Sequence, residues 1–158
     1  MQNESALRQQ IVDLLTKENA HAGFDSAINN LPANLRGQRP KGAEHSPWEI
    51  LEHMRIAQED ILDFSVNPNY KVLAWPEDYW PKTPAPPTDA DWDRSIEHFR
   101  SDLKKMCDLV ADESTDLFQK IPHGDGQTIL REALLIADHN AYHLGEMVLV
   151  RRLLGAWK

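Results

Sequence analysis

Apolar residues recur along this chain at intervals of three and four, and nowhere in the strict alternation of a half-buried strand. Leu7, Ile11, Leu14 and Leu15 mark a first helix from about Ser5 to Lys17. Phe24, Ala27, Ile28 and Leu31 form a second, short stripe. Gly23 weakens it, so it either continues the first helix or stands as a separate piece, and Pro32 ends it. Glycines and prolines between residues 32 and 45 predict a loop. The clearest helix start is "SPWE" at residues 46–49, where Ser46 caps, Pro47 takes the first helical position and Glu49 completes a capping box. That helix runs to about Phe64.

Residues 66–87, "VNPNYKVLAWPEDYWPKTPAPP", break the pattern. An irregular segment of this length between helices is unusual and often functional. Helical spacing resumes in "PTDADWDRSIEHFRSDLKKMCDLVADE", with Thr88 or Asp89 as cap and acidic residues in the first turn. "IPHGDGQ" reads as a turn. The last helix runs from about Thr128 to Leu154, with Arg151 and Arg152 complementing its C-terminal dipole and Gly155 as its stop. Long amphipathic helices without strands predict an all-α fold, an antiparallel four-helix bundle with a long Pro/aromatic-rich connecting loop. One domain over residues 1–158 is expected from the length.

Composition narrows the function. A formal charge of −8 argues against a nucleic-acid backbone as partner, since phosphate binding needs a basic face, and disfavours anionic membrane surfaces. The first residues carry charges and lack the apolar run of a signal peptide, and no stretch reaches the ~20 apolar residues of a membrane span. The single cysteine, Cys107, cannot form an internal disulfide, which fits a reducing compartment. A soluble cytoplasmic protein acting on a small molecule is therefore expected.

The chemistry concentrates on two helix faces. A helix turns about 100° per residue. In the last helix that rotation places His139, His143, Glu132 and Glu146 in the sector of Leu135, Ile136, Val150, Leu153 and Leu154. In the helix opened by "SPWE", His53 and Asp60 share the inward sector of Ile50, Ala57 and Phe64. Three inward imidazoles need partners for six ring nitrogens, and a divalent ion takes one from each ring directly. Histidines four apart converge on one ion, and a third from a facing helix closes the triangle. Three protein ligands leave coordination positions open, as in catalytic sites. Glu146, Glu132 and Asp60 are then candidates for a fourth ligand, a hydrogen-bonding partner of the ligands, or a general base; Glu146 and Asp60 are the first candidates for catalysis. The plainer reading is a polar patch of hydrogen-bonded histidines. Asn140 follows the first histidine of the pair, where a zinc-protease helix would carry glutamate, so this is not that motif.

"HSPWEILEHMRIAQEDILDF" together with "DHNAYHLGEMVLVRRLLGAW" resembles the DinB-like (DinB/YfiT) metalloenzyme superfamily, and the resemblance covers most of the chain. It implies a four-helix bundle with a three-histidine divalent metal site, zinc or nickel first, whose ligands fall on His53, His139 and His143. It also implies a metal-dependent hydrolase or a transferase using a low-molecular-weight thiol cosubstrate such as bacillithiol, mycothiol or glutathione, and a homodimer. Two readings stand beside it: a metal- or small-molecule-binding protein without turnover, and a helical interaction module with structural histidines.

His45, His21, His98 and His123 read as solvated histidines. Trp75, Tyr79 and Trp80 read as a plug closing one end of the bundle, rather than as a pocket wall. Trp48, Trp92 and Trp157 read as packing anchors, and Cys107 as a small core residue.

Overall fold

The computed structural model describes residues 2–157. Among them lie five α-helices and no strand: α1 (Gln2–Thr16), α2 (Phe24–Ile28), α3 (Pro47–Val66), α4 (Asp89–Ala111) and α5 (Ile129–Leu153), with a 3-10 turn at Ala33–Leu35. The short apolar stripe is thus a separate helix of little more than one turn. None of the helices is long and apolar enough to cross a membrane.

Caps set the boundaries. Ser46 Oγ accepts from the Glu49 backbone N–H while Glu49 Oε2 accepts from the Ser46 N–H at 2.8 Å, the reciprocal arrangement expected of the box. Thr88 and Thr128 cap α4 and α5 through their side-chain oxygens. Gly155, at φ +70°, supplies the left-handed residue that stops α5.

α3 packs against both α4 and α5, and α1 closes on α4 and α5 from the other side. α3 and α5 run antiparallel: Gln58 meets Asn140, and His45, just before α3, meets Glu146. One apolar cluster gathers Trp48, Ile50, Met54, Phe99, Met147 and Val150; a second gathers Ile11, Leu62, Met106, Val110, Leu117 and Ile136.

Two expectations change at the end of α5. Leu153 is exposed instead of inward, and Arg151, expected to serve the helix dipole from the surface, is buried. Past Glu146, α5 meets α2 as well as α3, and Met147 and Val150 share one apolar cluster with residues of both. Arg151 follows them inward and donates to Ala27 O at 2.6 Å, Asn29 O at 3.0 Å and Ala156 O at 2.9 Å.

Arg8 does the same at the opposite end. It is 5 % exposed and donates to the carbonyls of Val110, Asp112 and Thr115, just where α4 ends. Arg8→Ala removes this donor from all three carbonyls, of which only Asp112 O keeps a second one in the Thr115 N–H, and is expected to cost about 3 kcal/mol in urea unfolding.

Candidate metal centre

α3 delivers His53, and α5 delivers His139 and His143. The ring centroids form a near-equilateral triangle with sides of 4.9, 4.5 and 4.6 Å. One nitrogen from each ring lies within 4.8 Å of the others. His53 and His143 are buried and His139 is half-buried. The structure therefore brings together the three histidines singled out in the sequence.

Hydrogen bonds orient two of the rings. His53 Nδ1 donates to Tyr79 O at 2.9 Å; a carbonyl only accepts, so Nδ1 carries the proton and Nε2 turns a lone pair to the centre. His143 Nδ1 donates to Glu146 Oε2 at 2.9 Å, which likewise leaves its Nε2 free. His139 Nε2 approaches His53 Nε2 at 3.1 Å. Because His53 Nε2 is a lone pair, a hydrogen bond between the two rings requires the proton to sit on His139 Nε2.

Burial holds both His53 and His139 down at about pKa 4, and the neighbouring imidazoles deepen the effect. At neutral pH both present uncharged nitrogens, the form a metal binds. The carboxyl of Glu146 is pushed up by burial, but hydrogen bonds from His143 and His45 outweigh this and hold it below its usual range.

Two participants escaped the sequence reading. His45, expected to be solvated, donates from Nδ1 to Glu146 Oε1 at 2.9 Å and stacks on Trp80 at 4.0 Å. Trp80, expected as part of a plug, stacks on His53 at 3.9 Å with the rings almost parallel. The contacts close a circuit from His45 through Trp80, His53, His143 and Glu146 back to His45. Trp75 reaches His53 edge-on at 6.4 Å and is itself well exposed.

Asp60 has a different situation. Its two oxygens accept the hydroxyls of Tyr70 at 2.9 Å and Tyr79 at 2.7 Å. Burial and then this carboxylate push the Tyr70 pKa up to about 12, and the same causes raise that of Tyr79, so both phenols remain donors. Asp60 pins residues 70–79 to α3, and Tyr79 in turn offers its carbonyl to His53. Asp60→Ala is expected to loosen this segment at a cost of about 1–3 kcal/mol, seen as faster amide exchange between residues 70 and 80.

The other candidates lie apart. Glu132 is buried and accepts from Arg131 at 2.7 Å. His21 and His98 are exposed, and His123 meets Phe64 O at 2.7 Å. Cys107 is buried, and burial pushes its thiol pKa up, away from the thiolate a nucleophile needs. Trp48 and Trp92 are buried and pack tilted at 6.4 Å, while Trp157 takes the Arg151 guanidinium over its ring at 5.3 Å.

The profile of one protein family, described as the DinB superfamily, matches residues 18–147. No curated protein and no solved structure matches the chain.

Proposed function

From membership of the DinB superfamily, a metal-binding family to which this chain belongs, we propose a metal-dependent enzyme built on His53, His139 and His143. The reaction is a hydrolysis or the transfer of a low-molecular-weight thiol to a small electrophile. The helices α1, α3, α4 and α5 are read as an antiparallel four-helix bundle forming one domain, with the Pro/aromatic loop between α3 and α4 laid against the centre.

The donor set suits a divalent ion such as zinc or nickel. Three imidazole nitrogens converge, and two of the rings are held by Nδ1–H bonds to a carbonyl and a carboxylate. When bound, such an ion supplies Lewis-acid chemistry, lowering the pKa of a hydroxyl or thiol and polarising an electrophile.

Both reactions need a nucleophile stripped of its proton. The observation that carries an enzymatic reading is the His45–Glu146 pair beside the triad. With its Nδ1–H on the carboxylate, His45 keeps Nε2 as a lone pair and can take a proton there, and Glu146 stabilises the imidazolium that results. Because Glu146 also holds His143, one carboxylate couples the position of a ligand to the proton acceptor. Asp60, engaged by two phenols, is assigned a positioning role. The expected setting is the cytoplasm, with a small-molecule substrate, a homodimer as the assembled form, and no nucleic acid or membrane as partner.

The test is turnover by zinc- or nickel-loaded protein against ester and amide panels and against thiol–electrophile pairs that include bacillithiol, mycothiol and glutathione. His45→Gln is expected to lower kcat by about 10²–10⁴-fold while metal content stays constant. Loaded protein inactive on every panel would leave a metal-binding protein without turnover.

A further inference from the structure

The Nδ1 partners of the triad are unequal. His53 has a carbonyl and His143 a carboxylate, but no aligned hydrogen bond reaches Nδ1 of His139. Its sequence neighbour Asn140 is buried and spans the core: Asn140 Nδ2 donates to Gln58 Oε1 at 3.0 Å, and Gln58 Nε2 donates to Phe99 O at 2.7 Å. This relay crosses from α5 through α3 to α4 and satisfies every group but one. Asn140 Oδ1 is buried without a hydrogen-bond partner. An acceptor left orphaned in this way destabilises the fold unless something else meets it.

The orphan atom and the proton on His139 have one explanation. A hydrogen bond between the two Nε2 atoms would place the His139 proton on Nε2, facing His53. Its Nδ1 is then a lone pair, and two acceptors cannot bond one another. If Nε2 instead gives its lone pair to a metal, the proton must sit on Nδ1, where Asn140 Oδ1 is the neighbouring acceptor. The Asn140 side chain lies beside the His139 ring. Gln58 fixes the amide so that its oxygen, not its nitrogen, is the free end.

We propose that Asn140 is the positioning residue for His139: its Oδ1 accepts Nδ1–H in the metal-loaded protein and selects the tautomer that ligates. The inference rests on the three-histidine reading of the metal centre. All three ligands then have an acceptor behind them (a backbone carbonyl, a carboxylate and a side-chain amide oxygen), and the buried amide chain ties His139 to the backbone of α4.

The experiment compares zinc affinity in the wild type, Asn140→Leu, Asn140→Asp and Gln58→Leu, with thermal melts of each metal-free protein to establish folding. Asn140→Leu is expected to lose about 10–100-fold in affinity, as for other partners of metal-bound histidines. Asn140→Asp breaks the bond to Gln58 but keeps an acceptor, so it is expected to retain affinity within a few-fold. A purely structural role predicts that both substitutions weaken binding alike, and equal affinity in all variants likewise overturns the proposal. ¹⁵N-edited NMR of zinc-loaded wild type supplies a second readout that needs no variant to fold. A slowly exchanging His139 Nδ1 proton is expected, and a proton exchanging at the solvent rate overturns the assignment. Wild type that takes up no zinc defeats the metal-site reading and this inference with it; wild type that binds zinc without a protected proton defeats only this one.

Discussion

Alanine at His143 or at His139 is expected to empty the protein of metal. Untagged wild type is expected to bind close to one equivalent of zinc or nickel by elemental analysis, and each variant close to none. Removing one of three imidazoles removes a third of the protein donors, and no other histidine is placed to replace it. His45 is held by Glu146 and stacked on Trp80. The loss therefore exceeds the 10–100-fold typical of residues that only support a ligand. Stability reports the same event. Metal at a hundred times its dissociation constant stabilises the folded state by about 2.7 kcal/mol. For a chain of this size that raises Tm by roughly 5–10 °C. The variants should show no such shift while folding normally, because His139 and His143 sit in a ring of polar groups and not in either apolar cluster. Wild type free of metal after incubation with both ions, showing no shift, would make the histidines structural and leave a helical interaction module.

How much of this was legible beforehand follows the reach of each signal. The capping box at Ser46 and the rotation that gathers His53, His139 and His143 are local regularities, and the structure has both. His45 and Trp80 were not legible because their roles depend on two elements at once. With α3 and α5 antiparallel and His53 level with His139 and His143, the start of α3 falls opposite Glu146. That step would have placed His45 correctly, but it needs the pairing direction as well as the periodicity. Trp80 and Asp60 depend on how residues 67–88 fold back over α3, and no spacing rule describes a segment rich in proline. Arg151 and Leu153 were misplaced for a related reason. The sector arithmetic takes one neighbour for the whole of α5, whereas the last turns meet α2. Asn140 appeared in the sequence only as a residue that was not glutamate; its meaning lies in an oxygen left without a partner.

Metal-free protein should lose stability steeply as the pH falls from about 6.5 towards 4. In the unfolded chain His53 and His139 titrate near 6.5; in the folded protein burial holds both at about 4. Between those values the unfolded state binds protons that the folded state refuses, so acid pulls the equilibrium towards unfolding. The stability contributed by the neutral imidazoles is complete above pH 6.5 and is lost as the pH falls through that window. Each group contributes a slope of about 1.4 kcal/mol per pH unit. Together they approach the few kcal/mol that separates a marginal domain from an unfolded one. Urea denaturation with chelator at pH 7.5, 6 and 5 measures the slope. His53→Gln should flatten it by about half, because glutamine does not titrate while Tyr79 O and the rest of the circuit remain. Lowered carboxylates such as Glu146 and Glu49 act in the same direction but begin near pH 4.5, below most of the window. Constant stability from pH 6.5 to 5 would mean that the imidazoles take up protons in the folded state. Metal would then have to displace those protons, and its affinity would fall over the same pH range.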